Sequence, residues 1–392
     1  MIEEMSRPEV VEFVHQHETD DTTRLVLSQS KHPNIPVQLV AAQIESRKKA
    51  KKKLPEWYSV QGVLFSHGVP IEQCSSEITA RYKAELANGD TLVDLTGGTG
   101  IDTYYLSKKF SSTTFLECNE DLCQLAQYNF NQLKANIQVK HGFAEDFISQ
   151  SNILFDWIFI DPARRDESNK KVFRISDCSP DIVEMQETLL RKSKNVLIKF
   201  SPLLDISELL RSLKYVQEIH VVSVNNDCKE LLVVLSNNEG PIKVSTINFS
   251  NDNRQEFSYW FDEEQGSDAD LSMPKKYLYE PNASIMKACA FKVLGSKYQI
   301  PKLHSNSHLY TADKMVENFP GRAFLISTII PLKKSELEKL IPEGKANIAT
   351  RNFPLSVQQI RKKTGLKDGG DQYIFATTLL NNKPMLIVCE KA

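Results

Sequence analysis

The sequence predicts an α/β protein built around a doubly wound, mostly parallel sheet, and three observations carry that prediction. From Thr91 to about Leu235, short apolar runs (TLVDL, TTFLE, IQVKHG, FDWIFID, NVLIKFS, HVVSV and ELLVVL) alternate with amphipathic stretches, as parallel strands joined by crossover helices require. A glycine-rich turn, Asp94-Leu95-Thr96-Gly97-Gly98-Thr99-Gly100, follows the first run directly, at the strand end where such sheets place a ligand. The last two runs are separated only by residues 225–229, too few for a crossover helix and enough for an antiparallel hairpin.

Composition sets the frame. A chain of 392 residues exceeds what one hydrophobic core usually serves and predicts two or three domains. Hydrophobic residues at 41% and charged residues at 25% are globular averages, which exclude the disordered and membrane-spanning classes. No run reaches the roughly 20 apolar residues of a spanning helix, and the start, MIEEMSRPEV, lacks the basic and apolar regions of a signal peptide. The expectation is a cytoplasmic protein with no membrane partner. Seven cysteines without a CxxC pair or zinc-type spacing read as reduced thiols, and no metal is expected. At a net charge of −2, a nucleic-acid partner has to meet local basic patches rather than a basic whole.

Residues 1–85 read as helical and polar and contain the most basic run, RKKAKKK at 47–53. The αβ alternation and the stretch after it occupy residues 86–275. Within them, residues 248–273 hold seven acids against the single base Arg254, which reads as a solvated connector. From Gly321 onward the pattern is that of a small α+β unit: strand-like FLISTII, helices over SELEKL and SVQQIRKK, then strand-like YIFATTLL and PMLIVCE. Residues 320–392 carry twelve Lys and Arg against six Asp and Glu, and a basic surface favours a phosphate partner. Arg351, Arg361 and Lys362 are therefore candidate substrate contacts, with a solvated helix face as the alternative.

The glycine turn carries the most specific chemistry. Glycines let backbone approach a ligand where a Cβ would collide. An acid at position 94 would repel a dinucleotide pyrophosphate but can pair with the ammonium of S-adenosylmethionine, and the spacing misses GxGxxG. Asp94, Thr96, Gly97, Gly98, Gly100 and Asp102 are thus candidate cofactor residues. Glu117 ends the next strand-like run, where a carboxylate can accept both ribose hydroxyls. Phe143 and Ala144, after the third run, are candidates for bracketing the adenine; plain core packing is the alternative.

The run FDWIFID delivers Asp161-Pro162-Ala163-Arg164-Arg165 to the carboxyl edge of the sheet, beside the expected methyl group. Asp161 is the candidate hydrogen-bond acceptor or general base and a cofactor contact, and Pro162 shapes its loop. Arg164 and Arg165 offer guanidinium forks for phosphate, or close structural salt bridges. Amino-directed methyltransferases use an Asp or Asn, two prolines and an aromatic here; only Asp-Pro remains, so transfer to an adenine amino group is not expected. No cysteine lies in the loop, which leaves a covalent cysteine mechanism without a nucleophile. Lys199, Ser201 and Asn225 are candidate substrate-side residues, with turn chemistry as an equal alternative. Residues 73–83 combine a serine cap with a Glu-containing helix start and can cover the cofactor edge.

Taken together, QCSSEITARYKA (73–84), DLTGGTGID (94–102), DPARR (161–165), IKFSP (198–202), NDCKELL (226–232), YEPNASIMKACAF (279–291), SHLYT (307–311) and FPGR (319–322) give a chain that resembles, over nearly its whole length, the bacterial class I S-adenosylmethionine-dependent methyltransferases with a C-terminal THUMP-like domain. The resemblance implies a Rossmann-like sheet at 86–275 after a helical region at 1–85, a ferredoxin-like segment at 276–320, a THUMP-like RNA-binding domain at 321–392, and RNA, either rRNA or tRNA, as partner. It also implies that Thr96, where many class I enzymes carry glycine, narrows the methionine end of the pocket. Three functions stay open: an RNA methyltransferase, a methyltransferase of a protein or small molecule, and a non-catalytic RNA-binding protein retaining the fold.

Overall fold

The apolar runs of the sequence become strands in the computed structural model, which describes the chain except residues 1, 67–70, 165–174, 176–177 and 251–252 and the side chain of Arg164. The chain divides into one unit of Met1–Gln217 with Leu232–Glu239 and a second of Glu218–Leu231 with Gly240–Ala392.

In the first unit the strands are β1 (Gly89–Asp94), β2 (Phe110–Glu117), β3 (Gln138–His141), β4 (Phe155–Ile160), the short β5 (Ala163–Arg164) and β6 (Cys178–Ser179), and β7 (Ser193–Phe200). The order β7-β4-β1-β2-β3 is parallel throughout. Strands covered by helices on both faces are apolar continuously rather than alternately, and Leu92, Val93, Ile158, Phe159, Val196 and Leu197 are all buried. Register aligns the strand ends: Asp94 sits opposite both Phe115 and Phe159, and Glu117 opposite His141. The residues that follow β1, β2, β3, β4 and β7 therefore share one edge, the carboxyl edge.

Helices over residues 2–86 precede the sheet, the longest Val37–Lys53. Their core gathers Val10, Val40 and Ile44 around Leu125 of the helix Glu120–Gln132. The basic run on the long helix is only partly a surface feature. Arg47 is buried and donates to the Tyr58 carbonyl, and the Lys53 ammonium donates to the carbonyls of Ile71 and Glu72.

The second unit starts on the hairpin expected from the last two apolar runs. β8 (Val216–Val224) and β9 (Asp227–Ser236) are longer than the runs suggested and meet at a turn of Asn225 and Asn226, with φ of +52° and +61°. Two successive positive-φ positions are what a tight hairpin needs, and Asn tolerates them. β10 (Lys243–Ser250) runs parallel to β8, and β11 (Asn253–Trp260) returns antiparallel to β10. The expected solvated connector at 248–273 is thus corrected: its first half is a strand hairpin. Phe257 and Tyr259 point inward while Glu256, Ser258 and Trp260 stay exposed, a period of two that the density of acids masked.

The rest of this unit forms one sheet of β12 (Tyr277–Pro281), β13 (Tyr310–Ala312), β14 (Gly321–Ile330), β15 (Asn347–Arg351), β16 (Tyr373–Thr378) and β17 (Pro384–Lys391), in the order β13-β12-β14-β17-β16-β15. The helices fall at Lys334–Leu340 and Val357–Thr364, where the pattern placed them. The second is opened by a reciprocal Ser356/Gln359 cap and stopped by Gly365 at φ +81°, a left-handed terminus suited to glycine. β15 was not legible, because its residues are all half-buried.

Candidate active site

The glycine loop is held from below by carboxylates. Asp94 Oδ1 accepts from the Thr96 amide at 3.0 Å and Oδ2 from the Thr103 hydroxyl at 2.5 Å. Asp94 is 1% exposed, so its visible work is to tie the loop to the helix Ile101–Ser107, and any effect on a ligand passes through the loop. Burial pushes its carboxyl up to about 7; the hydrogen bonds from Thr103 and Thr96 pull against this, and the charges of Asp102 and Asp161 add to it. Glu117 Oε2 accepts from the Gly98 amide at 2.8 Å and Oε1 from the Asn119 amide at 2.9 Å, which fixes the end of β2 to the same loop. Gly97 has no room for a side chain, since a Cβ would lie 2.1 Å from the Phe115 ring. Gly98 is the reverse case: at φ +56° it faces open space, with nothing nearer than the Thr96 carbonyl at 3.8 Å. That opening, at the carboxyl edge, is the cradle a cofactor would fill.

Beside it lies a chain of buried charge. Lys83, on the helix Glu77–Leu86, is fully buried, with its ammonium 3.2 Å from Asp102 Oδ1 and 3.3 Å from the Ser75 hydroxyl. Ser75 donates to Asp102 Oδ2 at 2.7 Å. Lys199, at the end of β7, stands 3.7 Å from Asp102 Oδ2 and donates to Asp161 Oδ2. Thr96 closes the circuit by accepting the Asp161 amide on its hydroxyl at 2.6 Å. Burial opposes the charge of Asp102, but Lys83 and Lys199 outweigh it and hold the carboxyl below the usual range. The segment 73–83, expected to cover the cofactor edge, thus reaches the site through Ser75 and Lys83, though their pairing with Asp102 was not read from the sequence. The available signal was a lysine on the face of a helix that also buries Thr79, Ala80 and Ala84.

The edge also collects the other residues expected there. Phe143 caps the helix Ala144–Gln150 and leaves its ring 62% exposed, while Ala144 is buried beneath it. Asp161 is 38% exposed and Pro162 is buried. The backbone of Arg164 pairs with Cys178; Arg165 lies outside the described residues. Ser201 is half-buried and its hydroxyl accepts from the Leu203 amide.

Several candidate substrate contacts are otherwise engaged. Lys199 gives its ammonium to the two acids rather than to open solvent. Asn225 serves the hairpin turn. Arg351 donates to Glu280 Oε1 at 2.7 Å, and Arg322 donates to Oε2 of the same buried carboxylate. Arg361 donates to the carbonyls of Ala346 and Leu366 and pairs with Asp368, stapling the glycine turn from within its own unit. Arginine forks satisfy buried carbonyls and carboxylates well, and the Arg351 and Arg361 side chains both hold such partners here. Lys362 remains exposed. Among the described residues there is no cluster of His, Cys, Asp or Glu suited to a metal and no helix long and apolar enough to cross a membrane.

The donor set fits S-adenosylmethionine. Among the described side chains, four carboxylates (Asp94, Asp102, Glu117, Asp161) face two ammonium groups (Lys83, Lys199), a surplus of negative charge for a cationic ligand. Glu117 keeps lone pairs for hydroxyls, and Phe143 offers an uncovered ring.

Comparison with known proteins agrees with this geometry. Residues 277–320 match a ferredoxin-like domain family and residues 321–391 a THUMP domain-like family. A protein of Porphyromonas gingivalis W83, described as a candidate methyltransferase, is 33% identical over 97% of this chain and 97% of its own, with a TM-score of 0.87. Fainter likenesses include TrmK of M. capricolum with S-adenosylhomocysteine (14% identity, 45% of this chain and 70% of that one, TM-score 0.32). An rRNA methylase of Streptococcus thermophilus gives 15% identity over 41% of this chain and 93% of that one, with a TM-score of 0.31; likeness at this level carries no weight. No curated protein matches the chain. With near-complete coverage by the Porphyromonas protein and both C-terminal matches, the chain belongs to the class I S-adenosylmethionine-dependent methyltransferases that end in a ferredoxin-like and a THUMP-like domain.

Proposed function

We propose that this protein transfers the methyl group of S-adenosylmethionine to RNA, rRNA or tRNA. The observation that carries the cofactor half is the surplus of carboxylate among the described side chains at the sheet's carboxyl edge, which suits a cationic ligand and repels a pyrophosphate. The RNA half is supported by the THUMP-like match at 321–391 and by the excess of six positive charges over residues 320–392, since phosphate contacts dominate such binding.

When bound, the cofactor supplies a methyl group on a sulfonium. The chain supplies orientation. Asp94 and Glu117 set the glycine loop, Glu117 accepts ribose hydroxyls, and Phe143 with Ala144 flanks the adenine. Asp161, fixed through its amide by Thr96 and through its carboxylate by Lys199, accepts a hydrogen bond or proton from the attacking group of the substrate. Pro162 holds that loop, Arg164 and Arg165 pair with phosphate, and Lys362 adds a positive surface charge.

The test is titration of S-adenosylmethionine into the wild type and an Asp94→Ala, Glu117→Ala double variant, followed by labelled methyl transfer to rRNA and tRNA fractions, total protein and metabolite pools. Binding lost in the variant and label in RNA are expected. Label confined to protein or metabolites would move the substrate class, and absence of binding would overturn the enzyme reading.

A further inference from the structure

The buried charge chain contains a member that no cofactor or substrate can touch. Lys83 has no exposure, comes from the helix that precedes the sheet, and spends its ammonium on Asp102 and Ser75. Burying an ammonium is costly unless it is paired, and a hydrophobic residue would fill that position on the helix at less cost. Its effect must be exerted through charge. Among the described side chains of the site, the carboxylates of Asp94, Asp102, Glu117 and Asp161 against the ammonium groups of Lys83 and Lys199 leave two negative charges in excess. Methyl transfer changes the charge of the cofactor by one unit: S-adenosylmethionine carries sulfonium and ammonium against one carboxylate, whereas S-adenosylhomocysteine is neutral overall. A site with surplus carboxylate distinguishes the two by field alone, before any contact with the methyl group.

We propose that Lys83, paired with Asp102, is a positioning residue that sets this surplus, and with it the preference of the site for S-adenosylmethionine over S-adenosylhomocysteine. The inference rests on the cofactor reading above. It gives the helix Glu77–Leu86 a part in cofactor exchange: with a smaller surplus the product would compete with fresh cofactor, and with a larger one the cationic form would be held harder still. Lys199 contributes in the same sense, since its ammonium is shared between Asp102 and Asp161.

The experiment titrates S-adenosylmethionine and S-adenosylhomocysteine separately into the wild type, Lys83→Met, Asp102→Asn and the Lys83→Met, Asp102→Asn double variant, at pH 8 and low salt. The readout is the ratio of the two dissociation constants, because damage to the pocket weakens both ligands alike while a change of field does not. One unit charge about 10 Å away at an effective dielectric near 20 predicts a change of about fifteenfold. The ratio of the S-adenosylhomocysteine constant to the S-adenosylmethionine constant should rise in Lys83→Met, fall in Asp102→Asn, and return to the wild-type value in the double variant. Should Lys83→Met not fold, Lys199→Met replaces it, with the ratio rising in the same direction. A ratio within twofold of wild type in every variant, with both ligands still binding, overturns this inference and leaves the cofactor reading intact. A wild type that binds neither ligand overturns both.

Discussion

Lys83 and Asp102 form an ion pair of 3.2 Å that is closed to solvent on the lysine side. Taking Lys83 from this pair leaves Asp102 with Lys199 at 3.7 Å and the Ser75 hydroxyl as its partners, at about 2–3 kcal/mol. Lys83→Met should therefore lower the melting temperature by many degrees. The Lys83→Met, Asp102→Asn double variant should recover most of that loss, since two neutral groups leave no stranded charge. Thermal unfolding of the four proteins checks this; a double variant as unstable as Lys83→Met would refute the pairing.

Asp94 makes stability depend on pH in an unusual direction. Its carboxyl is raised by burial to about 7 in the folded chain, against 3.8 for the ordinary value. Between these values the folded state holds a proton that the unfolded chain has released, so stability should fall as pH rises from about 4 to 7 and level off above. Asp94→Asn removes that slope and should raise the melting temperature at pH 8 by several degrees. Melting curves from pH 5 to 8 decide it: an equal slope in both proteins would place the titration elsewhere.

The two central glycines of the loop should fail differently. A Cβ at Gly97 meets the Phe115 ring at 2.1 Å, an overpacking of about 1–3 kcal/mol that melting will register. Gly98→Ala meets no neighbour but strains a backbone at φ +56°, at about 1–2 kcal/mol, and puts a methyl group into the opening above the loop. It should weaken S-adenosylmethionine binding about tenfold or more with a smaller loss of melting temperature. Equal loss of binding and stability in both variants would contradict the assignment of that opening to the cofactor.

In the second unit, Arg351 and Lys362 should separate structure from binding. Arg351→Ala removes one of the two arginines on the buried Glu280 carboxylate and should cost about 1–2 kcal/mol. Lys362→Ala should leave melting unchanged and reduce the salt dependence of RNA affinity by about one phosphate contact. Binding measured across salt concentrations, beside melting curves, distinguishes them.

Much of this was legible in the sequence, and the residues show where legibility stops. The parallel sheet could be read because strands buried on both faces are apolar runs, and the glycine loop because Gly97 and Gly98 obey local sterics. Asp161 could be placed at the carboxyl edge because it follows such a strand. The segment 73–83 could be brought to the cofactor edge, but the pairing of Lys83 and Ser75 with Asp102 could not be read, because it reaches across 19 and 27 positions of sequence, a distance that pattern does not span. The partners of Arg351 and Arg361 were out of reach for a related reason: a basic residue looks the same in sequence whether it meets solvent, phosphate or a buried carbonyl. β11 was hidden by its acids, whose alternation with Phe257 and Tyr259 is visible only once one face is known to be covered.

Strand β14 begins at Gly321, where the ferredoxin-like match ends and the THUMP-like match begins, and pairs along β12 from Gly321 opposite Pro281 to Leu325 opposite Tyr277. Two families that can be told apart by sequence are therefore one cooperative object by hydrogen bonding. Cleaving the chain at residue 320 would strip β12 and β14 of their shared ladder and leave each fragment with a raw sheet edge prone to self-association. The boundary separates two sequence families; it does not mark where either can live alone.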